Sequence, residues 1–273
     1  MILDEDNINL HRAKDNKDDE FYTHLKDVEK EMKNYNFSGK IVYCCCDNPE
    51  WSNIYKYFHD NFSSLGLRGL ISSHYDPSGT YYSTFDGEEF KKFPLKGDGD
   101  CTSRECQNLA KKADVIVTNP PFSIFGKIVS VYKDMPFIML CTKIKMATNS
   151  ICWNLYMNKD LRYGYTKVGK FYRPNGEKDK EVGCIWYTNL PVHKSYRGLN
   201  IVELDDTFQK YDNYDAYEAR INAIPDTDEL IGIPVTSLTV LDPNNLPFEI
   251  VDKSGKLKLN GKDKFERIIV KLK

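Results

Sequence analysis

The stretch ADVIVTNPPF, residues 113–122, decides the fold of this chain. Its first half is a short apolar run, which predicts a strand over 114–118 that is buried on both faces of a parallel sheet. Two prolines follow directly, and they remove two backbone donors and stiffen the turn. The strand therefore ends at Asn119, a polar side chain placed at the carboxyl edge of the predicted sheet.

Short apolar strands alternate with amphipathic segments on both sides of this stretch. Strands are predicted at 41–46, 69–73, 136–142 and 183–190, a short hairpin at 81–90, and helices at 20–35, 50–62, 104–112 and 123–132. The alternation is typical of a doubly wound α/β fold with a mostly parallel sheet. Ligands bind beyond the carboxyl ends of the strands in such sheets, so we expect Asp47 and Asn119 to border one crevice.

The last third of the chain has a different character. Residues 195–250 are rich in Pro and Asp and show little periodicity, and the end reads as a hairpin around Asn260-Gly261, a strong turn signal. Between Asp252 and Lys273, eight Lys or Arg residues stand against three Asp or Glu residues. Such a run is either a solvated surface or a phosphate-contacting one. We therefore expect a flexible lead-in at 1–18, an α/β domain at 19–194 and a second region at 195–273.

Composition bounds the class of protein. The chain has 273 residues, of which 41% are hydrophobic and 29% charged, with a formal net charge of −2, which predicts a folded soluble protein. No apolar run is long enough to span a bilayer, and the polar N-terminus is not a signal peptide. The eight cysteines include three in a row and form no CxxC pair. The cysteines predict buried thiols in a reducing cytoplasm and no metal site. The lack of a long apolar run predicts no membrane partner.

The residues after the predicted strand at 114–118 suggest a specific chemistry. The Asn119 side-chain oxygen and the Pro120 carbonyl are two acceptors that can hold both protons of a planar NH₂ group and free its lone pair for attack. Phe122 offers a flat face for a stacked ring, an interaction worth about 1–3 kcal/mol. We predict that Asn119, Pro120 and Phe122 are catalytic through positioning and electrostatics. The alternative is an ordinary Pro-Pro turn with a packed Phe.

Seven stretches carry a family resemblance, namely residues 19–23, 42–49, 97–100, 113–123, 186–190, 232–235 and 259–262. Together they resemble the EcoRI-type adenine-specific DNA methyltransferases, and their order is similar to that of gamma-class N6-adenine amino-methyltransferases. The resemblance implies a Rossmann-like sheet that is mostly parallel with a C-terminal antiparallel hairpin, and that binds S-adenosylmethionine within 19–194. It also implies a target-recognition or DNA-binding region at 195–273, and methyl transfer to an adenine flipped out of duplex DNA.

The same resemblance implies a set of cofactor contacts. The implied residues are Tyr22, Thr23, Cys44, Cys46, Asp47, Asp76, Asp98, Asp100 and Asn119. Phe21, Tyr22 and Thr23 resemble the segment that flanks the cofactor methionine. Asp47 lies in what resembles the first cofactor loop, although no glycine occurs between Tyr43 and Leu65. Asp100 resembles the acid at the cofactor adenine, with Asp98 as its rival, and Asp76 is the candidate for the ribose.

The implied partner is double-stranded DNA. The candidate phosphate contacts are Lys143, Lys145, Lys256, Lys258 and Lys262, each of which has solvation as its alternative. A restriction endonuclease that acts on the same site is an open question, and no stable complex with one is implied.

Two other functions stay open at this point. One is methyl transfer to a protein glutamine amide or to an RNA base. The other is an inactive methyltransferase fold that serves only as a DNA-binding module.

Overall fold

The computed structural model describes residues 22–172, 180–220, 223–253 and 256–273. The predicted lead-in at 1–18 and the residue Phe21 lie outside this range. The chain divides into two compact units. The first comprises Met1–Thr142 and Tyr163–Val192, and the second comprises Lys143–Arg162 and His193–Lys273. No helix in the described ranges has both the length and the apolar character needed to cross a membrane.

The first unit contains a mixed sheet and four helices. The strands are β1 Tyr22–Thr23, β2 Ile41–Cys44, β3 Gly69–Ser73, β4 Tyr81–Phe85, β5 Phe90–Pro94, β6 Val115–Thr118, β7 Phe137–Thr142, β8 Arg162–Tyr172 and β9 Lys180–Thr188. The helices are α1 Leu25–Met32, α2 Asn53–Asp60, α3 Arg104–Ala110 and α4 Phe125–Tyr132. The strand order in the sheet is β1-β8-β9-β7-β6-β2-β3-β4-β5.

Only the centre of this sheet is parallel. β3, β2, β6 and β7 pair in parallel, whereas β4 and β5 form an antiparallel hairpin beside β3, and β9 runs antiparallel to β7. The expectation of a mostly parallel sheet therefore applies to the central strands alone. From β2 the chain moves to β3 on one side, and it later returns to β6 and β7 on the other. The switch point of the sheet consequently lies between β2 and β6.

The helices expected over 50–62 and 20–35 both begin later than predicted. The helix expected over 50–62 begins only at Asn53, because Ser52 is its N-cap and accepts hydrogen bonds from the backbone of Ile54 and Tyr55. Asp47, which the sequence offers with Asn48 as a helix cap, lies in the preceding turn. The helix expected over 20–35 is shortened to α1, because Tyr22 and Thr23 pair with β8 as an edge strand.

The second unit is richer in strands than its sequence suggests. It contains helices α5 Lys145–Thr148 and α6 Ser150–Met157, strands β10 Asn200–Glu203, β11 Lys210–Tyr211, β12 Tyr214–Glu218, β13 Ala223–Asp226, β14 Ile231–Pro234, β15 Phe248–Asp252, β16 Lys256–Leu259, β17 Lys262–Phe265 and β18 Arg267–Leu272, and a 3₁₀ helix Val235–Val240. Five strands form a sheet in the order β11-β12-β14-β18-β15. The strands between 195 and 250 were missed because each has at most five residues, too few to show a period.

The terminal hairpin differs from its prediction in one strand. Its turn is at Asn260-Gly261, and β16 pairs with β17. The segment that was expected to return along the hairpin instead forms β18, which lies between β14 and β15. Glu266 separates the two strands with a positive φ of 60°, so the chain turns out of the hairpin there.

Candidate cofactor and catalytic site

Asp47 and Asn119 lie together beyond the carboxyl ends of β2 and β6. The Thr118 hydroxyl donates to Asp47 Oδ2 at 2.7 Å, and the backbone N–H of Asn119 also donates to the Asp47 carboxylate. The backbone N–H of Cys46 donates to Thr118 Oγ1 at 3.2 Å. The loops after β2 and β6 therefore meet at the switch point, where the predicted α/β fold led us to expect a crevice.

Asp47 is the buried centre of this arrangement. Its residue is only 3% exposed, and the Ser52 hydroxyl donates to Oδ1 at 2.6 Å. Burial raises the pKa of Asp47 to about 6, although the hydrogen bonds from Ser52 and Thr118 act in the opposite direction. Both carboxylate oxygens are thus engaged by groups of the protein, and Asp47 fixes the shape of the loop between β2 and α2.

The turn from β6 to α4 carries the predicted catalytic residues. Asn119 is half-buried with its Oδ1 atom fully buried, and Pro120 is buried. Phe122 is 8% exposed, and its ring packs edge to face against Phe171 at a centroid distance of 6.3 Å. The open aromatic face expected from sequence is therefore largely covered, and only a small part of the Phe122 ring is accessible.

Tyr22 and Thr23 form a second wall beside α2. The Asn53 side-chain amide donates to the Thr23 carbonyl at 2.9 Å, and the Tyr22 ring packs edge-on against Trp51. Thr23 is buried, and within the described residues its hydroxyl oxygen has no hydrogen-bond partner. A buried hydroxyl without a partner needs an explanation, and a bound ligand is one.

The three acidic candidates lie on the loops that follow β3 and precede α3. Asp76 N–H donates to the Asp98 carbonyl at 2.9 Å, which joins the two loops. Gly99 has a φ of +77°, and a Cβ there would lie 2.0 Å from the His74 carbonyl oxygen. Only glycine fits this close approach. Asp100 accepts from the backbone and hydroxyl of Thr102, both at 2.8 Å.

Asp76 forms the same kind of local turn as Asp100. It is half-buried, and its Oδ1 atom accepts from the backbone and hydroxyl of Ser78 at 2.9 and 2.6 Å. These two bonds lower its pKa. They form a local Asx turn, so the carboxylate is partly used in shaping its own loop.

His74 is a buried residue that sequence reasoning passed over. It follows β3 directly, and its Nε2 atom lies 3.2 Å from both Asn48 Nδ2 and Thr80 Oγ1. Its Nδ1 atom is buried without a hydrogen-bond partner among the described residues. Burial lowers the pKa of the imidazole, which favours the neutral ring. The available signal was its position at the carboxyl end of β3, the parallel strand beside β2.

The candidate DNA-contacting lysines fall into two groups. Lys143 and Lys145 follow β7 and are both half-buried. Lys256, Lys258 and Lys262 are exposed on the terminal hairpin. Lys145 is the first residue of the short helix α5, and Lys143 lies two residues before it. The other three lysines lie on the two-stranded hairpin.

The hairpin is held firmly on its inner side. Leu257 is 1% exposed and belongs to a buried cluster of the second unit, and the Asp212 carboxylate accepts from the backbone of Asn260 and Gly261 at 3.2 and 2.8 Å. On the outer side, Lys256 is directly opposite Phe265, an exposed aromatic residue. The outer side of the ribbon therefore presents Lys256, Lys258 and Phe265, with Asp263 opposite Lys258.

Comparison with known proteins assigns the chain to a family. A family model described as adenine-specific methyltransferase EcoRI matches residues 9–175 and 130–273. Type II methyltransferase M.EcoRI of Escherichia coli is 33% identical over 97% of this chain and 96% of its own length. Type II methyltransferases M.MgeORF184P of Mycoplasma genitalium and M.MpnI of Mycoplasma pneumoniae are each 32% identical over 89% of this chain and 85% of theirs. No solved structure matches the chain. The chain belongs to the EcoRI family of adenine-specific methyltransferases.

Proposed function

We propose that this enzyme transfers a methyl group from S-adenosylmethionine to the N6 amine of an adenine flipped out of duplex DNA. The observation that carries the proposal is the position of Asn119-Pro120-Pro121-Phe122. This turn follows β6 directly and is hydrogen-bonded through Asn119 N–H and Thr118 to the loop after β2. It therefore combines an acceptor pair for an amine with the place where ligands bind in such sheets.

The polar groups around this crevice fit S-adenosylmethionine. The orphaned hydroxyl of Thr23 and the buried Nδ1 of His74 are polar atoms that a ligand with hydroxyl, amino and carboxylate groups would satisfy. Asp98 and Asp100, on the loop that packs against His74, supply acceptors for the cofactor adenine amine or ribose hydroxyls. When bound, the cofactor supplies an electrophilic methyl group on a cationic sulfur.

The chain's own contribution to transfer is positioning and polarisation. The Asn119 side-chain oxygen and the Pro120 carbonyl accept the two N6 protons, which draws the nitrogen lone pair out of conjugation and aims it at the methyl group. An amine stacked in a duplex is out of reach, so the base must leave the stack. Phe122, packed against Phe171, gives the base a rigid apolar boundary.

The second unit supports contact with DNA. Lys256, Lys258 and Lys262 are exposed on a hairpin whose inner side is anchored by Leu257 and Asp212. Cations on a fixed ribbon bind phosphates without a large ordering cost. We assign methyl transfer to the first unit and target recognition to the second, with Lys143 and Lys145 as further phosphate contacts.

The test is methyl transfer from tritiated S-adenosylmethionine to three acceptors offered separately: mixed-sequence duplex DNA, RNA and a protein extract. We expect label in DNA alone. Digestion of the labelled DNA to nucleosides should recover the label as N6-methyldeoxyadenosine. Label in RNA or in a protein glutamine would overturn the DNA assignment. Cofactor binding without label in any acceptor would instead support a binding module. Asn119→Ala is the control for transfer by this site.

A further inference from the structure

We propose that Cys45, Cys46 and Cys101 form a three-thiolate site for a divalent thiophilic metal ion of the Zn²⁺ or Cd²⁺ type. Cys45 and Cys46 follow β2, and Cys101 lies on the loop before α3, so the fold joins two distant segments here. Their three sulfur atoms all lie within 4.8 Å of one another, and the Cys45 and Cys46 sulfurs are 3.9 Å apart. Within the described parts of the chain, no other set of three or more His, Cys, Asp or Glu side chains converges in this way.

The size of the sulfur triangle fits a metal ion. An ion at the centre of three sulfurs, with metal–sulfur distances of about 2.3 Å, requires sulfur–sulfur distances of about 4.0 Å. The Cys45–Cys46 distance already meets this value, and the separations to Cys101 need to contract by less than about 1 Å. Cys45 and Cys101 are buried, and Cys46 is half-buried.

The backbone around the cluster is already fixed by hydrogen bonds that do not involve the thiols. Cys46 N–H donates to Thr118 Oγ1 at 3.2 Å, and Asp47 N–H donates to the Ser73 carbonyl at 3.0 Å. The Tyr132 hydroxyl donates to the Cys101 carbonyl. The ligands are therefore held near one another before any ion binds, which reduces the entropic cost of binding.

Charge favours a divalent ion over a monovalent one. Three thiolates carry three negative charges, and two carboxylates, Asp47 and Asp100, adjoin the ligands in sequence. For the three thiolates alone, a divalent ion leaves one net negative charge and a monovalent ion leaves two. The two neighbouring carboxylates add to this negative charge, so the ion of higher charge is favoured further. Thiolate ligands select soft or borderline ions over Mg²⁺ and Ca²⁺.

The binding step involves no redox change. Three S–H bonds break, three sulfur–metal bonds form, and three protons pass to solvent for each ion bound. None of the three thiols is needed to hold or activate the target amine, although Cys46 is also one of the implied cofactor contacts. An ion bound there ties the loop after β2 to the loop before α3.

The test is a Cd²⁺ titration of the reduced full-length protein, followed by the ultraviolet thiolate-to-metal charge-transfer band. We expect saturation at one ion per chain, and Cd²⁺ should displace Zn²⁺ bound at the same site with the same stoichiometry. Cys101→Ser should lower the affinity for Cd²⁺ at least tenfold and reduce the band. Cys184→Ser is the matched control, because Cys184 is a buried thiol on β9 outside the cluster, and it should behave as wild type.

Three results would overturn the site. These are the absence of a saturable band in wild type, an unchanged titration in Cys101→Ser, and an equal loss in Cys184→Ser. Near-ultraviolet circular dichroism and the thermal midpoint establish that each variant is folded. If Cys101→Ser does not fold, Cys46→Ser takes its place, because Cys46 is half-buried and its replacement disturbs the core less.

Discussion

Asn119 and Asn189 each follow an apolar strand directly, yet the structure gives them opposite situations. β6, which precedes Asn119, runs parallel to β7, whereas β9, which precedes Asn189, runs antiparallel to it. Their carboxyl ends therefore lie at opposite edges of the sheet. An asparagine after a strand is a candidate for catalysis only where that strand ends at the ligand-binding edge, so strand direction decides its role.

The side chain of Asn189 is used by the fold. Its Oδ1 accepts from Phe137 N–H at 2.9 Å, and its Nδ2 donates to the carbonyls of Lys133 and Met135 at 3.1 and 2.6 Å. It thereby ties the turn between α4 and β7 to the end of β9. Asn189 therefore has a structural role. Asn119, in contrast, is tied to its neighbours through the backbone N–H that reaches Asp47.

The largest expected effect is that of Asn119→Ala. Removing one of the two acceptors for the target amine should lower the rate of methyl transfer about 100- to 1000-fold, the range known for loss of one preorganised transition-state contact. The dissociation constant for S-adenosylmethionine should change less than about threefold, because Asn119 is assigned to the amine. Single-turnover transfer and calorimetry measure the two quantities. If Asn119→Ala retained the wild-type rate of methyl transfer, Asn119 would not be catalytic and would no longer differ in role from Asn189.

Asn189→Ala should show the reverse pattern. Three backbone groups lose their partner, so the free energy of unfolding should fall by about 1–3 kcal/mol. The transfer rate should stay near that of wild type at temperatures where the variant is folded. Urea unfolding and single-turnover kinetics together check this outcome. A loss of rate without a loss of stability would place Asn189 in the site and break the comparison.

The same contrast exists among lysines of the terminal hairpin. Lys264 is 3.8 Å from the Glu218 carboxylate, whereas Lys256, Lys258 and Lys262 are exposed. Replacing these three by Ala should weaken DNA binding and reduce the slope of log affinity against log salt by about 2–3, since each phosphate contact contributes about 0.9. Lys264→Ala is the matched control, and its slope should be unchanged. Equal slopes in all variants would show that the hairpin lysines are only solvated.

These point substitutions are better than a truncation of the basic end. Removing the chain after Pro247 would delete β18, whose residues Ile268, Ile269 and Val270 are fully buried in the five-stranded sheet. Such a variant would lose the core of the second unit. A change in its DNA binding would then report unfolding.

The smallest expected effect is that of Thr23→Val. The change keeps the shape of the side chain but removes the buried hydroxyl, so affinity for S-adenosylmethionine should fall about tenfold, equivalent to about 1.4 kcal/mol. Thr23→Ser should retain the affinity. The stability of the protein without cofactor should not fall, because the lost hydroxyl has no partner in the described structure. An unchanged cofactor affinity in Thr23→Val would show that the cofactor does not contact the Thr23 hydroxyl.

The central strands could be predicted because each is an unbroken apolar run. β3 was predicted with its observed bounds, and β2, β6 and β7 differ only by their last or first residues. The start of α2 could not be predicted, because Asp47 looks like a helix cap in sequence while its carboxylate binds Ser52 and Thr118. That contact joins residues 71 positions apart, and no local pattern shows it.

The candidate site was only partly predictable, because some of its residues have a local sequence signature and others do not. The turn at Asn119 has a local signature, since two prolines follow a buried strand. The orphaned atoms of Thr23 and His74 have none, because only the folded chain shows which polar atoms lack partners. Likewise, sequence cannot separate Asn119 from Asn189 by strand direction, which depends on pairing between distant segments.

The most direct measurement is a map of methylated bases at single-nucleotide resolution. Mixed-sequence duplex DNA is incubated with S-adenosylmethionine and either wild-type protein or Asn119→Ala, and N6-methyladenine is then located by sequencing. We expect N6-methyladenine at one recurring sequence with wild type and none with Asn119→Ala, although both proteins bind the cofactor. Methylation of another base or ring position, or the same map from Asn119→Ala, would contradict it.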